Sequence, residues 1–161
     1  MRTSIVFVFG FLLGSAVSIS FAQGNRLSGM DGVNHVGISV SNLDASVAFY
    51  TQKMGFREAF TVNDDKGQPF LTYLQVSPQT FVELQPAGSN RTPGITHVGL
   101  QVDDIRATIN TLKERGVMVD DARVSSTKSM IANISAPDGV RIELSELTPD
   151  SLQRKAINGW K

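Results

Sequence analysis

Two histidines, His35 and His97, are the only ones in the chain, and both stand in the same short phrase. GVNHVGISV (residues 32–40) returns as GITHVGLQV (residues 94–102), which puts the histidines 62 positions apart at one place in two copies. A second echo, offset by 60, sets Val82-Glu83-Leu84 against Ile142-Glu143-Leu144. Two imidazoles and two carboxylates, one of each per copy, are donors suited to a divalent cation. Neutral imidazole suits Zn, Fe, Co and Ni, and carboxylate oxygen extends the range to Mn. Four protein donors leave one or two positions for water or substrate, which suits catalysis better than a closed structural site. The expectation is one divalent metal ion (Zn, Ni, Co, Mn or Fe) held by His35, Glu83, His97 and Glu143.

For these residues to meet they must share a face. Side chains alternate along a strand, so His35 points away from Val36, Ile38 and Val40, and His97 away from Val98, Leu100 and Val102. Glu83 opposes Val82 and Leu84, and Glu143 opposes Val140, Ile142 and Leu144. The aliphatic stripes pack against helices, leaving the four polar residues to line a concave side. Gly37, Ser39 and Gly99 share that side and leave room beside the histidines.

The rest of each copy supplies the frame. After the first strand a helix is expected, starting near Ser41–Asp44 with Leu43, Val47 and Tyr50 at helical spacing, and near Asp103-Asp104 with Ile105, Ile109 and Leu112. Asx and Ser residues cap these helices, and Gly55 and Gly116 end them. Short strands follow at 56–62, 70–76 and 80–85, and at 117–119, 130–135 and 140–145. Asp65-Lys66-Gly67 and Pro137-Asp138-Gly139 are turn sequences. The order is βαβββ twice, and two copies are too few for a solenoid, so they must pack on each other. The expected fold is α+β: two βαβββ modules, residues 32–87 and 94–147, forming a cupped, mostly antiparallel sheet with helices on the outer face. Residues 87–93 join them. The tail, 148–161, carries Leu152, Ile157 and Trp160 and reads as a short amphipathic helix covering an edge.

Composition narrows the setting. With 161 residues, 41% hydrophobic, the chain can bury a core without staples, and the absence of cysteine excludes disulfide scaffolds and cysteine-ligated zinc. A formal net charge of zero argues against nucleic acid or an anionic membrane surface as the main partner. Residues 1–22 (MRTSIVFVFGFLLGSAVSISFA) run from one arginine through an apolar stretch to small residues, the pattern of a secretory signal peptide cut after Ala22. Residues 23–31 read as a flexible leader. The mature protein is expected to be exported, to the periplasm or beyond the cell, with no stable membrane insertion.

HVGISVSNLDASVAFYTQKMGF, FVELQP, HVGLQVDDIRATINTLKERGV and APDGVRIELSE together resemble the vicinal oxygen chelate superfamily, which includes glyoxalase I, methylmalonyl-CoA epimerase, extradiol dioxygenases and bleomycin-resistance proteins. The resemblance runs from Gly32 to about Leu147. It implies paired βαβββ units around a divalent metal whose ligands map onto His35, Glu83, His97 and Glu143, a set similar to that of glyoxalase I. The activity implied is proton transfer next to a metal-bound carbonyl of a small substrate, by a lyase or isomerase. Glu143 would be the general base, with Glu83 as partner acid or ligand. Glyoxalase I binds glutathione through arginines; Arg57, Arg91 and Arg123 are the candidates here. Two other classes remain open: an Fe(II) ring-cleaving dioxygenase-like enzyme, and a non-catalytic small-molecule binding or resistance protein using the same cup. The cup is completed either within one chain or by a homodimer.

Overall fold

The computed structural model describes residues 27–161; the expected signal peptide and the start of the leader lie outside the described residues. Strand β1 (Met30–Val40) is followed by helix α1 (Leu43–Ala48), a π-helical turn (Phe49–Lys53), and strands β2 (Arg57–Asn63), β3 (Pro69–Ser77) and β4 (Thr80–Pro86). The second copy comprises β5 (Gly94–Val102), α2 (Ile105–Glu114), β6 (Arg123–Val124), β7 (Met130–Ser135) and β8 (Arg141–Glu146). Helix α3 (Leu152–Asn158) closes the chain.

Local chemistry sets the helix ends as the sequence implies. The Asn42 side chain accepts from the Ala45 amide at 2.9 Å, and Asp104 accepts from the amides of Arg106 and Ala107 at 3.0 Å each. Each cap satisfies backbone donors that the first helical turn leaves unpaired. Gly55 and Gly116 sit at φ +74° and +79°, the left-handed conformation in which a helix ends without a Cβ penalty.

All eight strands form one sheet in the order β2-β3-β4-β1-β5-β8-β7-β6. Only β1–β4 and β5–β8 pair in parallel; the other neighbours are antiparallel. The two copies therefore join along β1–β5, and each carries its own last strand beside its first. On the outer face α1 packs the half-buried Leu43 and Val47 against Val40, Leu74 and Leu84, and α2 buries Ile105 and Ile109 against Val102, Ala132 and Leu144. At about 1.5–3 kcal/mol for each fully buried side chain, Ile105 and Ile109 anchor α2, and α1 is held by less.

Three details differ from the sequence reading. Strand β1 begins at Met30, ahead of Gly32, because Met30 pairs with Val102 and packs on the second-copy core. The segment 117–119 is not a strand: Val117 and Val119 pack on the core, but the backbone touches the sheet only through a Val119–Ile134 bridge, and the edge strand lies at Arg123–Val124. Helix α3 lies against the edge strand β2, as expected, but from the concave face and reaching inward over β3 and β4. Ala156 and Ile157 pack with Leu71, Tyr73 and Phe81, opposite the α1 cluster, so the tail lies inside the first copy's half of the cup.

Candidate metal centre

Strand register explains how the four predicted residues approach one another. Gly37 stands between Glu83 on β4 and His97 on β5; Gly99 stands between His35 on β1 and Glu143 on β8. The result is two adjacent rows across the sheet, each with a glycine in the middle. A Cβ built on Gly37 falls onto the His97 ring, and one built on Gly99 falls onto the His35 ring. Each imidazole lies over the glycine of the other copy.

Within a single chain the rows bring the side chains together. The two Nε2 atoms are 2.9 Å apart, and Glu83 Oε2 lies 3.6 Å from His35 Nε2 and 3.8 Å from His97 Nε2. Glu143 Oε1 is 3.6 Å from His35 Nε2 but stands outside the group formed by His35, Glu83 and His97. A cation held about 2.0–2.2 Å from each donor spans donors up to about 4.4 Å apart, and the three separations of 2.9, 3.6 and 3.8 Å meet that limit. The residues present fit a divalent ion, with three donors in mutual reach and a fourth carboxylate beside them.

The hydrogen bonds have a fixed direction. A guanidinium only donates, so Arg141 Nη2 gives a proton to His97 Nδ1 at 2.7 Å. In a neutral His97 the proton is then on Nε2 and points at His35 Nε2, leaving His35 Nδ1 to donate to Asn34 Oδ1 at 3.1 Å. Asn34 in turn donates to Gln101, and Gln101 to Asp31. If His35 and His97 held a cation through Nε2, the proton between these atoms would have to leave. His97 Nδ1 would then carry its own proton, and Thr96 Oγ1, 2.9 Å away, is the acceptor available for it.

Burial disfavours the charged form of all four residues. Desolvation first, then His97 and Arg141, pushes His35 down to about 3; desolvation and the cations of Arg141 and Arg91 push His97 down to about 4. Neutral imidazole is the metal-binding form. Glu83 is raised by burial, an effect opposed by the Tyr73 hydroxyl and by Arg141. Glu143 is pushed up to about 7 by burial and by the Glu83 charge.

The two carboxylates are held differently. Tyr73 faces Glu83 across β3–β4 and its hydroxyl donates to Oε2, while Gln85 donates to Oε1 at 2.5 Å. The matching place opposite Glu143 is Asn133, which accepts from Arg141 instead. Among the described residues no side chain donates to Glu143. Sequence reasoning passed over Tyr73, Asn34 and Arg141. The signal for Arg141 was present, since it lies two residues before Glu143 and shares its face. Of the three arginine candidates, Arg57 is engaged elsewhere: it donates to Gly159 O at 3.0 Å, Ala156 O at 3.2 Å and Gln75 at 2.7 Å, and lies over Trp160. Arg91 and Arg123 line the hollow beside His97 and the glutamates.

A family model described as the Glyoxalase/Bleomycin resistance protein/Dioxygenase superfamily matches residues 32–144. The chain belongs to this superfamily. Among its curated relatives is a probable lactoylglutathione lyase of Vibrio cholerae, 33% identical over 119 residues, with the match covering 68% of this chain and 86% of that one. Another is the mitochondrial methylmalonyl-CoA epimerase of Mus musculus, 23% identical over 128 residues, covering 71% and 72%. The crystal structure of methylmalonyl-CoA epimerase from Mycobacterium tuberculosis superposes with a TM-score of 0.66 at 28% identity, over 77% of this chain and 93% of that one. The fold that this superfamily member shares with them is the curled sheet described above.

Proposed function

We propose that this protein is a divalent-metal-dependent lyase or isomerase that moves a proton on the carbon next to a carbonyl of a small substrate. The relatives named above as a lyase and an epimerase support a reaction of this class. The observation that carries the reading is the unequal pair of carboxylates: Glu83 is held by Tyr73 and Gln85 within the His/Glu/His group, while Glu143, 3.6 Å from His35, accepts no side-chain hydrogen bond among the described residues.

His35, Glu83 and His97 would hold the ion, and Glu143 would join them or stand free. The metal, when bound, supplies Lewis-acid stabilisation of negative charge on the substrate oxygens. Glu143 is the general base: raised to about 7, it accepts a proton readily and returns it near neutral pH. Without a side-chain donor among the described residues, its carboxylate would be free to turn toward a bound substrate. Glu83 stays in place, oriented by two donors.

The test uses metal content and solvent exchange together. Wild-type protein should contain about one divalent ion per chain and His97→Ala far less. Loaded wild type should incorporate deuterium from heavy water at the α-carbon of carbonyl substrates, and Glu143→Gln should not. Unchanged exchange in Glu143→Gln would remove Glu143 from the role. Two histidines and one carboxylate are also the donor set of Fe(II) oxygenases, and iron with oxygen-dependent catechol consumption would move the assignment to that class.

Two further readings rest on the sequence and the geometry. We propose export by cleavage after Ala22, to be read from the N-terminus of the mature protein. Because His35, Glu83 and His97 approach one another within one chain, we propose that a homodimer would pair two such groups without sharing them.

A further inference from the structure

The copies match at their metal-side residues and differ around them. At the offset of 60 that aligns Glu83 with Glu143, Phe81 aligns with Arg141 and Tyr73 with Asn133. The first copy's half of the cup is thus apolar, and α3 fills it by packing on Phe81, Leu71 and Tyr73. Leu152 N donates to Thr127 O at 2.9 Å and Ser129 donates to Gln153 at 3.1 Å, tying α3 to the second copy. What stays open is a hollow of about 200 Å³, below the range of about 300–1,000 Å³ of drug-sized ligand pockets. Its charged lining is Arg91, Arg123, Arg141, Glu83 and Glu143.

Three guanidinium groups therefore face two carboxylates, and a divalent ion would add further positive charge. The arginines flank the site from separate elements: Arg91 from the turn between the copies, Arg123 from β6 and Arg141 from β8. Arg141 is already bonded to Asn133 and His97. Arg91 and Arg123 are exposed and make no side-chain hydrogen bond or ion pair among the described residues. Both line the hollow together with Glu83, His97 and Glu143.

We infer that the substrate is a compact carboxylic acid whose own carboxylate is taken by Arg91 and Arg123 at the mouth of the cup. This rests on the reading of the cup as the substrate site and adds the substrate's class. A planar carboxylate accepts two parallel N–H bonds from a guanidinium, a geometry that a lysine ammonium does not reproduce. The small hollow selects a short acid and gives an apolar chain little to bury against beyond Leu71 and Ile131.

The probes are malonate, malonamide and inorganic phosphate, titrated calorimetrically into the purified protein with and without metal. Malonate should bind at least ten times more tightly than malonamide, which has the same skeleton without charge. The double variant Arg91→Gln/Arg123→Gln should lose at least tenfold in malonate affinity with metal content unchanged, and Arg91→Lys/Arg123→Lys should recover part of it. Equal binding of malonate and malonamide, no binding of either, tighter binding of phosphate than malonate, or an unaffected double variant would each overturn the assignment. Metal analysis reads the metal centre separately: a protein that takes up no ion yet binds malonate through these arginines supports this inference while removing the metal-dependent one.

Discussion

The imidazole of His97 occupies the space that a side chain at Gly37 would fill, and the copies are reciprocal in this respect, with His35 lying over Gly99. Neither glycine has a positive φ, so alanine is permitted there by the backbone and excluded by the ring alone. Gly37→Ala should displace His97, lower metal affinity by at least a hundredfold and cost about 1–3 kcal/mol of stability as an overpacked site. Metal titration and thermal unfolding check it. Retention of full metal affinity would mean that the ring can move without loss.

Stability of the metal-free protein should fall on both sides of a maximum. Glu143, raised to about 7 from 4.5, binds its proton more tightly in the folded state, so its contribution is complete below 4.5 and is lost as pH rises through 7. His35 and His97, lowered to about 3 and 4 from 6.5, contribute fully above 6.5 and lose that contribution as pH falls toward those values. Denaturant midpoints across pH should show both limbs. Glu143→Gln should flatten the alkaline limb and leave the acid one.

Exchanging the two glutamates' roles should be impossible. Glu83→Gln removes a donor of the three-residue group and should lose most of the metal, whereas Glu143→Gln should keep most of it and lose turnover by about 10²–10⁴-fold, the usual contribution of a positioned base. Metal content measured beside α-proton exchange separates the two. Equal metal loss in both variants would place Glu143 among the obligatory ligands.

Arg141 opposes the ion. It donates to His97 Nδ1 at 2.7 Å, which favours the tautomer whose Nε2 carries a proton and has no lone pair to offer. Arg141→Met should therefore tighten metal binding several-fold, read by competition with a chromophoric chelator. Weaker binding in this variant would show that orienting the ring outweighs the tautomer and charge effects.

Arg57 belongs to the scaffold. Its bonds to the carbonyls of Ala156 and Gly159 hold the C-terminal end of α3, where a positive charge is favourable. Arg57→Met should lower stability by about 1–3 kcal/mol, as expected for charge-assisted hydrogen bonds, and leave metal content unchanged. Thermal unfolding beside elemental analysis tests both halves.

The frame and the metal side of the cup were legible because duplication and pleat parity are written in residue types. His35 and His97 share one phrase, and alternation alone puts them on the face of Glu83 and Glu143. Parity placed Arg141 there as well, but the repeat drew attention to what the copies share, and Arg141 stands where they differ. The position of α3 was not legible. Leu152, Ile157 and Trp160 show that the helix has an apolar side, but its docking ground is made by Leu71, Tyr73 and Phe81, which come from two strands and converge only once the sheet has curled. The strand expected at 117–119 failed for a related reason: apolar residues that pack on a core need not pair along their backbone.

Because each half provides the vacancy into which the other half's ring settles, the two stretches of gene are not free to drift apart. A bulkier residue at one glycine is a fault in the opposite repeat's histidine, and its remedy has to arise there too. Phe81 and Arg141, which stand outside that interlock, carry no such mutual demand and differ between the repeats.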